Sequence, residues 1–152
     1  MPTPAQLRGF TLLQLLSALL ILSLLTLAAY PAYRHHVRAA KLRAAQQALL
    51  ADTHFLEQFY LQNGSFKANS TTWPKLPHTA TDSFCIGLHG QAKGALDNEF
   101  TVKAAAFSPE HEPRILKINE SLITLVCERS ESRCTDEGIS NGKDEQCTVY
   151  QP

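Results

Sequence analysis

The chain has 152 residues, enough for one domain of ordinary size with one appended element. Lys and Arg total 14, and Asp and Glu also total 14, so the formal net charge is zero. This balance excludes a polybasic protein whose affinity rests mainly on charge. Apolar residues make up 44% of the chain and charged residues 18%, which excludes a disordered chain.

A run of 21 residues from Phe10 to Tyr30 contains no charged side chain. As a helix it would be about 30 Å long, the thickness of the hydrocarbon core of a bilayer. The rest of the chain is too short to surround such a helix in a soluble core. Residues 10–30 are therefore predicted to be a transmembrane helix.

A short polar leader ends at Gly9, directly before the apolar run, whereas an ordinary secretory signal is cleaved after its apolar run. Gly9-Phe10-Thr11-Leu12 followed by an uninterrupted apolar helix resembles the N-terminus of type IV prepilins. Pro31 lies where pilins commonly have a proline. The resemblance implies that residues 1–9 are a leader peptide, that a prepilin peptidase cleaves after Gly9, and that the new terminus at Phe10 is methylated.

Two features of the sequence give opposite predictions for the compartment of the C-terminal part of the chain. Basic residues are concentrated just after the apolar run, and counted alone they predict a cytoplasmic C-terminus. Four cysteines beyond residue 80 instead favour an oxidising compartment. With the prepilin motif, they predict an inner-membrane anchor with a periplasmic head before assembly, and a place in the type IV pilus at the cell surface after processing.

Gln14 stands where pilins usually have a glutamate, five places into the mature chain. In that family the carboxylate is thought to pair with the N-terminal amine of a neighbouring subunit. A glutamine side chain accepts a hydrogen bond but neutralises no charge, so incorporation into the filament body is expected to be less secure.

Residues 31–152 are predicted to form the head, beginning with a continuation of the helix over 31–62. Apolar residues there recur at threes and fours and stop at Gln62-Asn63-Gly64. His35 and His36 face different sides of this helix, so they are not expected to bind a metal. Residues 63–82 are rich in Asn, Ser, Thr and Pro and are predicted to be a loop.

Three runs with strand character follow, over 83–89, 100–107 and 114–127, and the last is expected to bend near Asn119-Glu120. A three-stranded antiparallel sheet over 83–127, packed on the second half of the helix, gives an α+β fold. Residues 128–152 have almost no apolar pattern and are expected to be attached to the surface by disulfides.

The cysteines, Cys85, Cys127, Cys134 and Cys147, allow three disulfide pairings. The spacing lacks the paired motifs of zinc sites, and no histidine is placed to activate a catalytic thiol, so structural disulfides are predicted. In an antiparallel meander the start of the first strand and the end of the third lie at opposite ends of the sheet. This favours Cys85–Cys134 with Cys127–Cys147, and Cys85–Cys127 with Cys134–Cys147 stays open as the alternative.

Several stretches resemble the ComP competence pilins, minor pilins that act as receptors for DNA-uptake sequences. These stretches are residues 54–64, Phe84-Cys85-Ile86, Gly94-Ala95-Leu96-Asp97 and Lys117-Ile118-Asn119-Glu120. The cysteine spacing and the loop at Trp73-Pro74 agree with the same family. The resemblance implies a minor type IV pilin that binds extracellular double-stranded DNA for uptake in natural transformation.

The resemblance also implies an electropositive stripe on the sheet, assisted by the loop after the first strand and by the C-terminal region. The matching basic positions are Lys93, Lys103 and Lys117. The alternation of its strand predicts that Lys103 points away from the helix. Arg133 is also predicted to bind DNA: further contacts are expected from the flanking residues Arg114, Arg129, Arg133 and Lys143, and base contacts from Gln91, Asn98, Arg133 and Asn141.

Two features count against strong DNA binding. The family usually has a basic residue just after Cys85-Ile86, where this chain has Gly87. From residue 62 onward there are 9 Lys and Arg against 12 Asp and Glu, a net charge of −3. One missing phosphate contact costs about tenfold in affinity, so Gly87 predicts weaker binding or a different preferred sequence.

Two alternatives involve no DNA. One is a structural minor pilin that primes or modulates pilus assembly, and the other is an adhesion or aggregation pilin. No nucleophile–base or metal constellation is present in the sequence, so neither an enzyme nor a cofactor is predicted. The expected partners are double-stranded DNA, other pilins, the prepilin peptidase and the inner membrane.

Overall fold

A computed structural model describes residues 11–135, 139 and 141–151. The predicted cleavage and methylation residues, Gly9 and Phe10, lie outside the described residues. The chain divides into two compact units, Met1–Arg38 and Ala39–Pro152.

Helix α1 runs without interruption from Leu12 to Asn63 and belongs to both units. It confirms the predicted helix of roughly fifty residues. Thr11 and Gln14 form a capping box at its start, because Gln14 Oε1 accepts the Thr11 backbone N–H and Thr11 Oγ1 accepts the Gln14 N–H. Gln14, which replaces the usual pilin glutamate, therefore satisfies an otherwise unpaired backbone donor.

The first unit contains the apolar part of α1. Its 18-residue window of highest hydropathy has a mean hydropathy of 2.3, and no residue in it is buried. By length and composition this helix is able to cross a membrane.

In the second unit α1 ends where the sequence predicted. Gly64 adopts a left-handed backbone with φ of 70°, and its N–H donates to Tyr60 O at 2.7 Å. Glycine adopts this conformation without steric cost, which makes it the usual residue after a helix end.

In the described part of the chain, the sheet has five antiparallel strands in the order β1-β2-β3-β4-β5, so the prediction of three strands over 83–127 is wrong. The strands are β1 Phe84–Leu88, β2 Thr101–Ala106, β3 Ile115–Asn119, β4 Thr124–Ser130 and β5 Asp144–Val149. Each strand pairs with the next along the chain, and the α+β class is confirmed.

The two additional strands have different origins. The predicted run over 114–127 is two strands, separated by a turn in which Leu122 has φ of 61° and donates its N–H to Asn119 O. Strand β5 lies in the segment 128–152, for which only attachment to the surface by disulfides was predicted. It is mostly exposed, and it pairs with β4 along its length.

One face of the sheet packs on α1. Leu42, Ala45, Leu49 and Leu56 of the helix form a single buried cluster with alternate residues of β1 to β4. The strand members of this cluster are Phe84, Ile86, Leu88, Val102, Ala104, Ala106, Leu116, Ile118 and Val126. Asp52 and Thr53 of the helix are also buried, although both are polar.

The other face of the sheet, the outer face, is covered in part by residues 131–135, 139 and 141–143, which we call the crossing segment. Cys134 forms a disulfide with Cys85 of β1, and Ile139 packs in a second buried cluster with Ala105 and Ile115. Cys134 therefore lies at β1, at the opposite edge of the sheet from β5.

The disulfides are Cys85–Cys134 and Cys127–Cys147, the pairing that the sequence favoured. Cys127 and Cys147 lie directly opposite each other on β4 and β5. Because β5 buries little apolar surface, it is joined to the sheet by this bond, by the backbone ladder and by the polar contacts of Asp144 at its first position.

Replacing Leu49 tests the packing of α1 on the sheet. Leu49→Ala should lower the free energy of unfolding by about 2–5 kcal/mol, because the side chain is fully buried. Urea unfolding of the full chain in non-ionic detergent, followed by the fluorescence of Trp73, measures this. Leu61→Ala is the control, since Leu61 is 84% exposed on the same helix. Equal losses in both variants would contradict the described interface.

Candidate nucleic-acid interface

A groove of about 680 Å³ lies beside β1, and we call it the β1 groove. The loop after α1 forms one wall with Trp73 and Lys75, and the loop between β1 and β2 contributes Gln91 and Lys93. Cys134, Thr135 and Ile139 of the crossing segment complete the groove, and Ile86, Gly87 and Leu88 form its floor.

The first wall is fixed by burial and by one cross-wall hydrogen bond. Pro74 and Leu76 on either side of Lys75 are buried, so the exposed Lys75 is held between two anchored residues. Trp73 Nε1 donates to Gly90 O at 3.1 Å, which joins this loop to the loop between β1 and β2.

The second wall is fixed from the helix end. Lys67 Nζ lies 2.7 Å from Asp97 Oδ1 and donates to Ala95 O at 2.8 Å. The hydrogen bond from Lys67 lowers the pKa of Asp97, and Phe66 N donates to Asp97 O. These contacts fix the loop that carries the exposed Lys93.

The floor is closely packed at Gly87. A Cβ atom added there would lie 2.8 Å from Ile139 Cγ2, so a larger residue would require Ile139 to move. Ile139 therefore occupies the space that a basic side chain at position 87 would need.

The groove has a different charge from the head as a whole. Lys75 and Lys93 are both exposed, and none of the described residues that line the groove has a carboxylate. A head with a net charge of −3 therefore presents a local surface with two cations. Gln91 on the same wall is able to donate to and accept from a base edge.

Lys103, a predicted DNA-binding residue, is not accessible. It does lie on the outer face, as the alternation predicted, but its side chain is only 1% exposed because the crossing segment covers it. Lys103 Nζ lies 2.7 Å from Asp144 Oδ2 and donates to Gly142 O at 2.8 Å and Ser132 Oγ at 3.3 Å. The expectation of an exposed lysine on β2 is wrong.

Lys117 is placed beside this cluster. Its Nζ lies 3.4 Å from Asp144 Oδ2, and 24% of its side chain is exposed. Lys103, Lys117, Asp144 and His89 line a second cavity of about 280 Å³ on the outer face. Burial, followed by the charge of Lys103, lowers the pKa of His89.

The remaining predicted residues do not form one stripe. Arg133 is exposed, and its Nη1 donates to Ser130 O and Ser132 O. Arg114 forms a bidentate ion pair with Glu112 at 2.6 and 2.8 Å, which occupies its guanidinium group. Like Arg133, four further predicted residues are exposed and lie outside the β1 groove: Asn98, Arg129, Asn141 and Lys143.

Among the residues that the structure describes, no group of three or more His, Cys, Asp or Glu side chains is arranged to bind a metal ion.

Residues 31–113 match the family model described as type IV minor pilin ComP, DNA uptake sequence receptor. The match covers 113 − 31 + 1 = 83 of the 152 residues, more than half of the chain. The chain belongs to this family.

Two solved structures of ComP pilins are similar to the chain. The solution NMR structure of the minor DNA-uptake pilin ComP from Neisseria subflava is 48% identical, with a TM-score of 0.60, and the match covers 73% of this chain and 96% of that one. The type IV pilin ComP from Neisseria meningitidis is 44% identical, with a TM-score of 0.53 and coverage of 77% and 99%. No curated protein sequence matches the chain.

Some of the residues that line the β1 groove fall within the range that matches the ComP family, and others do not. The walls that carry Lys75 and Lys93 lie within the matched residues 31–113, whereas Cys134, Thr135 and Ile139 lie beyond them. Sequence reasoning found Lys93 and Gln91 but missed Lys75. The feature that could have identified Lys75 was its position near an aromatic residue in the loop sequence Trp73-Pro74-Lys75-Leu76-Pro77.

The ion pair between Asp144 and Lys103 should make the stability of the head depend on pH. Burial opposes its ionisation, but hydrogen bonds from Lys103 and Ser130 and the charges of Lys103 and Lys117 outweigh burial and lower the pKa of Asp144 below its ordinary value of 3.8. The stabilisation is therefore complete above that value, and it is lost as the pH falls through the lower pKa of the folded protein.

Asp144→Asn should reduce the free energy of unfolding at pH 7 by about 3–5 kcal/mol, because it leaves Lys103 buried without a counter-charge. The double variant Lys103→Met, Asp144→Asn should recover much of that loss, because no buried charge remains. Urea unfolding at pH 7 and at pH 3 measures both effects. A single variant as stable as the wild type at pH 7 would show that Lys103 is not buried as described.

Proposed function

We propose that the chain is a minor type IV pilin that binds extracellular double-stranded DNA in the β1 groove, for uptake in natural transformation. Membership of the DNA-uptake-sequence receptor family supports the class of ligand. The main evidence for binding in the β1 groove is that Lys75 and Lys93 are exposed on facing walls, where none of the described lining residues has a carboxylate. The protein acts by binding rather than by catalysis.

The geometry suits a phosphate backbone that crosses the groove. Lys75 and Lys93 come from separate loops that the Trp73–Gly90 hydrogen bond joins, so two phosphate contacts are held in a fixed relation. Phosphate contacts set the register of a protein on DNA, and contacts to base edges provide sequence preference. Gln91 is the base-reading candidate that lies within the groove.

The anchoring and processing of the chain belong to the same proposal. Residues 1–9 are removed by a prepilin peptidase after Gly9, and Phe10 becomes the methylated terminus. Residues 10–30 anchor the chain in the inner membrane with residues 31–152 in the periplasm, and the processed chain then joins other pilins in the pilus. The apolar part of α1 supports the membrane anchor, and the two disulfides support an oxidising compartment for the head.

An electrophoretic shift of the full chain in non-ionic detergent tests the DNA site. Lys75→Ala with Lys93→Ala should weaken binding by about tenfold or more and should reduce the slope of log affinity against log salt by about 2, because two phosphate contacts are lost. Duplexes with candidate uptake sequences are compared with scrambled duplexes at two salt concentrations.

Arg129→Ala with Lys143→Ala is the matched control, since it removes two exposed positive charges outside the groove. An equal loss of affinity in the control would show that overall charge, rather than the β1 groove, binds DNA. A wild-type chain that binds no duplex even at low salt would favour the structural minor pilin.

A further inference from the structure

A buried acidic residue of α1 has no part in the groove itself. Asp52 is the first acidic residue in the sequence, and its side chain is fully buried in the face of the helix that carries Leu49 and Leu56. Asp52 Oδ2 has no hydrogen-bond partner. Burial raises the pKa of Asp52, and the hydrogen bonds from His78 only partly offset that effect.

The other carboxylate oxygen connects the helix to the first wall of the groove. Asp52 Oδ1 accepts the His78 backbone N–H at 2.9 Å and lies 3.0 Å from His78 Nδ1. His78 is in the loop whose residues 73–76 and Thr79 line the groove. Both contacts are local to the second unit of the chain.

The loop is attached at three places along this stretch. Trp73 Nε1 donates to Gly90 O at its beginning, and Thr79 O accepts the Ile86 N–H at 2.7 Å where it meets β1. The Asp52–His78 contact lies between these two, on the side of the helix. Lys75 is three residues from His78, with the buried Leu76 between them, so the His78 contact holds the part of the wall that directly follows Lys75 and Leu76.

The carboxylate of Asp52 is unfavourable for packing in the buried face of α1. A buried acidic group with an unpartnered oxygen loses hydration that the protein does not replace, and an apolar residue of similar volume would pack the same face without that cost. The helix therefore carries a destabilising group whose visible contacts are with His78.

We propose that Asp52 is a positioning residue for DNA binding, because its contact with His78 fixes the wall that carries Trp73 and Lys75. The inference rests on the proposed function of the β1 groove. It assigns no contact between Asp52 and DNA, since the side chain is fully buried.

Three variants of the full chain in non-ionic detergent test this. Asp52→Leu removes the contact but keeps an apolar side chain of similar size, and Asp52→Asn keeps an oxygen that accepts the His78 N–H. Thr53→Val is the matched control, because Thr53 is equally buried on the same helix and its hydroxyl donates to Leu49 O within the helix.

Two measurements are made on each variant: amide hydrogen exchange over residues 73–79, and DNA affinity by electrophoretic shift. Asp52→Leu should unfold at no lower urea concentration than the wild type, yet exchange at His78 should be about tenfold faster as its hydrogen bond is lost. Its DNA affinity should fall by about three- to tenfold, because the wall loses its fixed position. Asp52→Asn and Thr53→Val should stay close to the wild type in both measurements.

If Asp52 has only a structural role, the DNA affinity of each variant should fall only when its free energy of unfolding falls, and in proportion to it. The inference is overturned if Asp52→Leu leaves exchange over 73–79 unchanged, or if exchange increases while DNA affinity does not change. Wild-type affinity in Lys75→Ala with Lys93→Ala, together with reduced affinity in Asp52→Leu, overturns the proposed groove and this inference with it. A loss in the lysine variant but not in Asp52→Leu overturns the inference alone.

Discussion

The buried ion pair between Lys103 and Asp144 determines which surfaces of the head are open. A lysine with 1% of its side chain exposed requires a counter-charge and hydrogen-bond acceptors, and Asp144, Ser132 and Gly142 supply them. All three acceptors lie at the ends of the crossing segment or next to it, so satisfying Lys103 brings this segment onto the outer face of the sheet. The Cys85–Cys134 disulfide then closes the segment over β1.

This arrangement explains how an acidic head can belong to a family of DNA-uptake receptors. The outer face is partly covered, and Asp144 offsets the charge of Lys103 and Lys117 there. In the β1 groove, by contrast, Lys75 and Lys93 are exposed and none of the described lining residues has a carboxylate. The proposed site therefore depends on the local arrangement of charge rather than on the net charge of −3.

The elements with an apolar pattern were predictable, and those without one were not. The end of α1 and strands β1 and β2 follow from periodicity, and strand direction favoured the observed disulfide pairing over its alternative without deciding between them. Strand β5 was missed because it is mostly exposed and has no alternation. Alternation showed the face on which Lys103 lies, but not that a later segment covers it. Asp52 was missed because its partner, His78, is 26 residues away in the sequence.

Mapping the DNA contacts directly is the most decisive test of the β1 groove. The full chain in non-ionic detergent is photo-crosslinked to a bound duplex, and the crosslinked residues are located by mass spectrometry. Crosslinks should appear at Trp73, Lys75, Gln91 and Lys93, which line the groove. Crosslinks confined to the outer face around Lys117, with none in the groove, would contradict the assignment and would require the crossing segment to open when DNA binds.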